Sequence, residues 1–600
     1  MLCLHVAAGL NNGGVVDFWR DMYWATVIAN GERFPLSGPP INNLLELGPW
    51  WFYLCALPLW LTHRIAAASV FIQLLAGAKY FLAWRLGMRA VDAKFGLAFA
   101  VSMAVAGWST ASFWFPSHPA VIETTCLLLA FAVWRCANGL TASNALLFGL
   151  AATACLHAHP ATMSYIAIGG IVLLHRNRSW RGIGLLGLSA LVVVASLSPG
   201  WFDNSPKFPN IPLSLAGYAS SEFGVNVVGR LPGLLKGLLV GGAWTGFLLM
   251  TKWSLATATF AWWAYCAGLA IAGAGIVLLP APRRPMRRWF AIGVLVLVAQ
   301  TVFLAAVRPF TPIWMVPSCL PPLAFVFAIG WYGWLDAGSR APWFAGMLAF
   351  VVFTALSIAP FGYFLRDIRS ARVTNSNPLF NISDIGERYS NVPVSFVTVR
   401  DVDELARTLC EPATLHLRLG AIMETTGSSA LRNACGRWPD LRFSAAGEPG
   451  PHIGGISSDA ATAIGIAPDR SVAHMALYSN VRAVAPVQGT RIAGLRRMEV
   501  ARRPPDESKP SPNVFEFDAG PGDVVAVTNR YPPFAGLTIG SATANGMPAK
   551  LMHSDGKAFL YRCEACGADA AVHWRIPLDG VAANLDVTVL LARARADAGR

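Results

Sequence analysis

Asp17 and Asp21 are the carboxylates of this chain that are best placed for chemistry. They open a polar segment, residues 17–54, in a sequence that is largely apolar as far as about residue 365. An acidic side chain at a membrane surface is a functional candidate by default. Such a carboxylate could accept the proton of a hydroxyl group while that hydroxyl forms a new bond. The two residues are four apart and share one face of a helix. The alternative is that they cap or solvate an interfacial helix.

Glu46 is a third candidate, and it begins the stretch ELGPWWFYL. The segment PLSGP at residues 35–39 precedes it and predicts a rigid turn of the kind that shapes a loop over a site. Trp50, Trp51 and Tyr53 suit a helix that lies in the membrane interface. We therefore expect residues 48–62 to be interfacial, since a span there would break the alternation of the connections.

Histidines mark two further connections. His118 lies in FWFPSHPAVIE beside Glu123, and His157 and His159 lie in LHAHPATM. We predict that His118 and His159 bind substrate, and structural roles for all three histidines remain open. No cofactor follows from the sequence. A divalent metal held by His118, His157 and His159 is the alternative, because imidazoles suit divalent ions.

Three cations are candidates for holding an anionic group. Arg308, in AAVRPFTPIW, ends an apolar stretch on the predicted outer side, where the positive-inside rule does not account for it. A phosphate is the natural partner for a cation placed there, and snorkelling to the headgroups is the alternative. Lys207 and Arg230 support the same interpretation more weakly.

The composition indicates a membrane protein. Of the 600 residues, 54% are hydrophobic and 13% are charged, and the mean hydropathy is +0.47. A net charge of +14 does not indicate nucleic acid, because many cations lie in short loops between apolar runs. Apolar stretches long enough to span a bilayer are predicted at 65–84, 95–113, 120–135, 143–158, 160–175, 183–200, 255–280, 289–307, 314–335 and 342–364.

The connections alternate consistently between two sides. If those rich in Lys and Arg face the cytoplasm, then 17–63, 114–119, the corner at 157–160, 201–254, 308–313 and everything after 365 lie outside. Residues 1–16 are too short and too rich in Gly and Asn for a full span. We expect them to be the remnant of a longer helix, and they lack the basic start of a signal peptide.

We predict two domains: a polytopic α-helical membrane domain over residues 1–365, with about ten to twelve spans, and an extracytoplasmic soluble domain over 366–600. Within the second, 366–447 alternates strand-like and helix-like patterns and predicts a small α/β part. Residues 448–600 predict a β-sandwich. The even number of cysteines in this tail predicts disulfides Cys410–Cys435 and Cys563–Cys566. A zinc site at Cys563 and Cys566 is the alternative.

Residues 17–54, the first outer segment, resemble the first external loop of GT-C glycosyltransferases, in particular aminoarabinose transferases and protein O-mannosyltransferases. In those enzymes an Asp after the first span precedes an amphipathic helix, with a Gly 14–15 residues later, and Asp17 and Gly31 match this spacing. Glu46 and Pro49 resemble the Glu and a Pro of the Glu-Lys-Pro-Pro-Leu motif of aminoarabinose transferases. Leu47 stands where that motif has Lys. Arg308 resembles the family's late Arg or Lys.

The resemblance implies an inverting glycosyltransferase of the GT-C fold in a bacterial inner membrane, with a periplasmic C-terminal domain. Its expected partners are a polyprenyl-phosphate-linked sugar, membrane lipids and a glycan, lipid or protein acceptor. The absence of a Gly-rich nucleotide fingerprint argues against a nucleotide-sugar donor. The alternatives are a ligase or polymerase of lipid-linked glycans, a transporter or flippase, and a scaffold that acts through its tail.

Overall fold

A computed structural model shows the chain as two compact units. Between residues 1 and 369 the structure describes all but 12–15, 42–44, 106–116, 202–230, 232–266, 269, 280–282, 284 and 308–316. Beyond 369 it describes residues 429–430 and 432–436 and the elements named below with short flanking stretches. The first unit comprises Met1–Arg366 with Pro378–Glu387, and the second comprises Asp367–Asn377 with Arg388–Arg600. The predicted domain boundaries remain a prediction.

The first unit is built of apolar helices. They are α1 (Leu2–Asn11), α2 (Val16–Ala29), α3 (Trp50–Thr62), α4 (Ile65–Ala90), α5 (Ala93–Val105), α6 (Ile122–Asn138), α7 (Ala142–Ala158), α8 (Met163–Arg176), α9 (Trp180–Leu197), α10 (Met286–Val307), α11 (Leu320–Leu335) and α12 (Arg340–Arg369). A short hairpin of β1 (Pro40–Ile41) and β2 (Leu45–Glu46) joins α2 to α3. Short 3-10 turns at His118–Val121, Pro160–Thr162 and Ser198–Trp201 adjoin α6, α8 and α9.

Five helical segments among the described residues are long and apolar enough to cross a membrane. They are Ile65–Ala90, His118–Asn138, Trp180–Gly200, Met286–Ala306 and Pro317–Leu335, and five further apolar helices are shorter. The helices follow most of the predicted spans closely, although α4 is longer than its predicted span. At 13 residues, α3 is shorter than the ~20 residues that a span needs. The total of ten to twelve spans remains a prediction.

Consecutive helices from α6 to α9 run in opposite directions, so the connections between them lie alternately on two sides. Thr141 caps the start of α7 by accepting a hydrogen bond from the Asn144 amide, and Asn144 also bonds Arg135 near the end of α6. At the other side, the start of α6, the end of α7 and the end of α9 meet, and His157 bonds Ser196 there. We call this side the site end.

Ionic contacts join three connections at the opposite side, which the charge pattern predicts to face the cytoplasm and which we call the inner end. Arg283 lies 2.9 Å from Asp92, and the Tyr332 hydroxyl donates to the same carboxylate at 2.5 Å. Lys94 lies 2.9 Å from Asp336, the residue after α11. The sequence predicts that the cation-rich connections of Lys94 and Arg283 lie on one side. In the structure these two cations pair with the carboxylates of Asp336 and Asp92.

Glycines allow several helices of this unit to pack backbone against backbone. A Cβ atom on Gly87 of α4 would lie 2.8 Å from the Cα of Gly96 on α5. A Cβ on Gly333 of α11 would overlap the carbonyl oxygen of Gly275, in the helical stretch 270–275. Small residues at such contacts let membrane helices approach closely, because no side chain separates the two backbones.

The second unit contains helix α13 (Val399–Leu409), helical residues at 429–430 and 432–435, and several sheets. A five-stranded sheet has the order β15 (Lys550–Ser554), β16 (Ala558–Arg562), β11 (Asp523–Asn529), β18 (Val587–Arg593) and β9 (Val481–Val484). A second combines β10 (Asn513–Ala519), β17 (Val572–Asp579), β13 (Thr543–Ala544) and β14 (Met547–Pro548), with β12 (Thr538–Ile539) beside β17.

The remaining strands form two small sheets. The first pairs β3 (Val373–Asn375) with β4 (Val392–Val394), and the second has the order β5 (Arg418–Leu419), β6 (His452–Ile453), β8 (Met475–Tyr478) and β7 (Arg470–Val472). The strands after residue 470 agree with the predicted β-rich part. The sandwich itself, and the α/β part at 366–447, stay predictions.

One predicted disulfide is confirmed. Cys563 and Cys566 are bonded, with their Cα atoms 5.5 Å apart, so their thiolates are not free to bind zinc. Cys435 is also disulfide-bonded, whereas Cys410, its predicted partner, lies outside the described residues.

Candidate active site

Helix α2 brings the charged residues of the first outer segment to the site end. Asp17 lies in its first turn and Asp21 one turn later, as their spacing predicts. The side chain of Asp17 lies outside the described part of the chain. Asp21 is fully buried. A buried carboxylate costs several kcal/mol unless charged or hydrogen-bonding groups surround it, so its partners define the site.

Arg20 is the first partner of Asp21. Its Nε and Nη2 atoms donate to the same oxygen, Oδ1, at 3.1 and 2.7 Å. The side chain of Arg20 is 25% exposed while that of Asp21 is closed to solvent. Two bonds to one oxygen hold the planar guanidinium in a fixed orientation. Asp21 thereby fixes a cation that reaches the surface of the site.

Trp51 and His118 approach the other carboxylate oxygen. The indole Nε1 of Trp51 donates to Asp21 Oδ2 at 2.8 Å. The Nδ1 atom of His118 lies 3.6 Å from Oδ2, which is an ion-pair distance once the imidazole is protonated. The indole also meets the His118 ring edge to face, with the ring centroids 6.2 Å apart.

His159 lies beside His118. The two imidazole rings are parallel, with their centroids 6.4 Å apart and an angle of 7° between their planes. Nδ1 of His159 accepts a hydrogen bond from the Ala161 amide at 3.0 Å. A neutral imidazole that accepts at Nδ1 carries its proton on Nε2, so we assign this tautomer. His159 therefore also caps the turn that leads into α8, the structural role that the sequence left open.

The charge of Asp21 reflects opposing effects. Burial raises the pKa of the carboxyl, while the positive charge of Arg20, the nearby His118 and the hydrogen bonds from Arg20 lower it. The lowering effects prevail, so the pKa of Asp21 lies below its ordinary value. Asp21 is therefore ionised at neutral pH. Because its oxygens are buried and bonded, they are poorly placed to take a proton from an incoming hydroxyl.

Glu123 lies deeper than His118 and does not join this cluster. It pairs with Lys79 of α4, and both side chains are fully buried. The Lys79 ammonium also lies 5.4 Å from the centre of the Tyr80 ring. Of the two ionisable residues in FWFPSHPAVIE, His118 is at the candidate site and Glu123 belongs to a buried ion pair between helices.

The remaining candidates are placed only in part. Glu46 ends β2, and its side chain lies outside the described residues, as do Lys207, Arg230 and Arg308 entirely. Within the described ranges, no group of three His, Cys, Asp or Glu side chains could hold a metal ion. His157 instead lies 3.1 Å from Ser196 through Nε2.

The sequence analysis missed Arg20 as a neighbour of Asp21 and gave Trp51 another role. Arg20 stands between the aspartates in DFWRD, and a cation in that position was a usable signal. Trp51 was expected to seat an interfacial helix. It is 4% exposed, and its bond to Asp21 depends on the return of the chain after the hairpin, which no local pattern reveals.

No protein-family model matches the chain, and no curated protein matches it. Solved structures that resemble it include ArnT from Cupriavidus metallidurans bound to undecaprenyl phosphate. The TM-score is 0.48 and the identity 11%, over 79% of this chain and 96% of ArnT. The apo state of the same protein gives a TM-score of 0.45 at 10% identity, over 79% of this chain and 95% of ArnT.

Arabinosyltransferase EmbB from Mycobacterium smegmatis gives a TM-score of 0.32 at 14% identity, over 98% of this chain and 63% of EmbB. ArnT and EmbB are GT-C glycosyltransferases, the class that the first outer segment of this chain resembles.

Proposed function

We propose that this chain is an integral membrane glycosyltransferase that moves a sugar from a polyprenyl-phosphate donor to an acceptor hydroxyl at the outer face of a bacterial inner membrane. One observation supports this most: Asp21 lies buried at one end of an apolar helix bundle, bonded to Arg20 and Trp51 and 3.6 Å from His118. A fixed ionised carboxylate next to a partly exposed guanidinium suits chemistry on a phosphate-linked substrate.

The position of the cluster suits a lipid-linked donor. The prenyl chain of such a donor stays in the bilayer, so the sugar phosphate must be met where helices end. Asp21 and Trp51 belong to α2 and α3, both shorter than a span, and His118 begins a segment long enough to span. The reacting groups would therefore lie beside the membrane edge.

Asp17 is the proposed base. It is one helical turn before Asp21, so the two residues share a face of α2. The acceptor oxygen would attack the anomeric carbon from the side opposite to the phosphate, forming the new C–O bond as the bond to the phosphate oxygen breaks. The acceptor proton would pass to the Asp17 carboxylate, and polyprenyl phosphate would leave with the bonding electron pair.

Positive charge would stabilise the phosphate as it leaves. Groups fixed in advance stabilise developing charge without reorganising during the reaction. Arg20, held by Asp21, and Arg308 are the proposed cations, with Lys207 and Arg230 as further candidates. Glu46, His118 and His159 are the proposed contacts to the sugar or acceptor. Asp21 in this scheme positions Arg20 rather than exchanging a proton with substrate.

The test is transfer of labelled sugar from a polyprenyl-phosphate donor pool in membranes that hold wild type, Asp17→Asn or Asp21→Asn at equal protein levels. Asp17→Asn should lower transfer by ~10²–10⁴-fold, the usual contribution of a general base. Asp21→Asn should lower it less and also weaken donor binding. Asp518→Asn, on an exposed strand residue of the second unit, is the control. Full transfer by both variants would disprove the scheme.

A further inference from the structure

The hairpin of β1 and β2 holds Glu46, and its base is tied to two distant helices. Its strands are joined by the pairs Pro40–Glu46 and Ile41–Leu45. Two more backbone bonds extend the pairing: the Gly38 amide donates to Leu47 at 2.7 Å, and the Leu47 amide donates to Pro39 at 3.1 Å. The position of Glu46 thus depends on where the following residues, Gly48 to Trp50, are held.

Gly48 lies against the ends of α7 and α9. A Cβ atom at this position would lie 2.6 Å from Cε1 of His157 and would overlap the carbonyl oxygen of Ser196. It would therefore have to displace either the loop or the two helix ends. Glycine is required here because of the close approach. The base of the hairpin therefore packs directly against His157 and Ser196, which we call the corner.

Trp50 supplies a bond in the same place. Its indole Nε1 donates to the Ser196 carbonyl at 2.7 Å, across 146 residues of chain. The ring is 50% exposed, so burial does not account for its position. Trp51, the next residue, is the one that bonds Asp21. Adjacent indoles thus connect the start of α3 to the Ser196 corner on one side and to the buried carboxylate on the other.

His157 and Ser196 complete the corner. The Ser196 hydroxyl donates to the Val193 carbonyl at 2.7 Å, so its oxygen accepts from His157 Nε2 at 3.1 Å. His157 is 6% exposed and Ser196 8%. A buried hydroxyl that both donates and accepts has a single satisfied orientation. The corner is therefore a defined surface on which the hairpin rests.

We propose that Gly48, Trp50, His157 and Ser196 form a hairpin anchor that fixes the backbone of β2, and with it the position of Glu46 in the chain, at the site end where the proposed donor would bind. They are positioning residues, since they act through the hairpin and need not touch substrate. The inference deepens the proposed function and rests on it for the nature of the donor. The anchor itself is a property of the fold and can be tested without any transfer reaction.

Four variants test the anchor. Gly48→Ala adds the excluded Cβ, Trp50→Phe removes the indole donor, His157→Leu removes the donor to Ser196, and His157→Gln retains an N–H near the position of Nε2. Trp60→Phe is the matched control, because Trp60 lies on the same helix and is 60% exposed. Each protein is purified in detergent and compared with wild type by thermal unfolding before use.

The first readout is hydrogen exchange of the Gly38 and Leu47 amides. We expect exchange at least tenfold faster in Gly48→Ala, Trp50→Phe and His157→Leu, and near wild type in His157→Gln and Trp60→Phe. Unchanged exchange in both Gly48→Ala and Trp50→Phe would overturn the anchor. If Gly48→Ala does not fold, Trp50→Phe and the two His157 variants decide the matter.

The second readout is steady-state transfer from a polyprenyl-phosphate sugar. Loss of positioning should raise the KM for the donor about tenfold and leave kcat within twofold, the pattern of lost ground-state binding. Faster exchange with an unchanged KM would refute the positioning role. Absence of transfer by wild type would instead count against the proposed function, and the exchange data would still decide whether the anchor exists.

Discussion

The indole nitrogen of Trp51 lies 2.8 Å from the carboxylate oxygen Oδ2 of Asp21, 30 residues earlier in the chain. This bond connects the two helices that flank the hairpin, and both partners are buried. A hydrogen bond to a charged group contributes about 1.5–3 kcal/mol. The bond is therefore a sensitive point for the stability of the site end.

The first prediction concerns this bond. Trp51→Phe should lower the free energy of unfolding by about 1–3 kcal/mol, because it leaves a buried carboxylate oxygen with one donor fewer. In a double-mutant cycle with Asp21→Ala, the coupling should be about 0.5–3 kcal/mol. Denaturation in detergent measures the free energy of unfolding of each variant, with Trp60→Phe as the control. Strictly additive effects would mean that the bond contributes nothing.

The second prediction concerns acid. The pKa of Asp21 is lower in the folded protein than its ordinary value of 3.8, because Arg20 and His118 outweigh the effect of burial. A lowered folded pKa adds stability at pH values above the unfolded pKa, and this stability is lost as the pH falls through the folded pKa. The thermal midpoint of wild type should thus fall more steeply below about pH 4 than that of Asp21→Asn. Parallel curves for the two proteins would contradict this.

The third prediction concerns the buried pair of Lys79 and Glu123. Lys79→Met or Glu123→Leu alone should destabilise the protein by about 3–5 kcal/mol, because each leaves an uncompensated buried charge. The double variant should recover most of that loss, since two apolar side chains remove both charges. Yield of folded protein and thermal stability in detergent are the measurements. A double variant as unstable as the sum of the singles would refute the pairing.

The fourth prediction concerns sidedness. In a Cys3→Ser background, which removes an exposed free thiol, His63→Cys should react with an impermeant maleimide in intact cells. Lys94→Cys, 59% exposed at the inner end, should react only after the membrane is opened. These outcomes follow from the positive-inside rule. Labelling of both in intact cells would overturn the predicted topology.

Much of the helical unit was predictable because apolar length is a local signal. The spans expected at 143–158 and 160–175 correspond to α7 and to the Pro160–Thr162 turn with α8. The charge pattern also grouped the connections that hold Asp21, His118 and His159 on one side, and the structure brings these three residues together. Cations and turns near helix ends supplied the information.

The contacts within the cluster were not predictable, because they depend on register between distant segments. The spacing Asp17–Gly31 favoured Asp17 as the reactive carboxylate, and that role stays a proposal. Nothing local showed that Asp21 would be fully buried, or that Glu123 would pair with Lys79, 44 residues away. Such pairs arise only once helices have a fixed height relative to each other, and many heights satisfy the same apolar pattern.

The backbone contact between Gly87 and Gly96 has a consequence for how variation in this chain should be interpreted. A methyl group at either glycine would push α4 and α5 apart although neither residue approaches the candidate site. Such a change would reduce how many molecules reach the membrane intact, while each surviving molecule would work at its normal rate. The amount of protein would fall while the turnover per molecule stayed the same. An assay of whole cells, which measures amount multiplied by turnover, would therefore mistake a glycine of this kind for a catalytic residue.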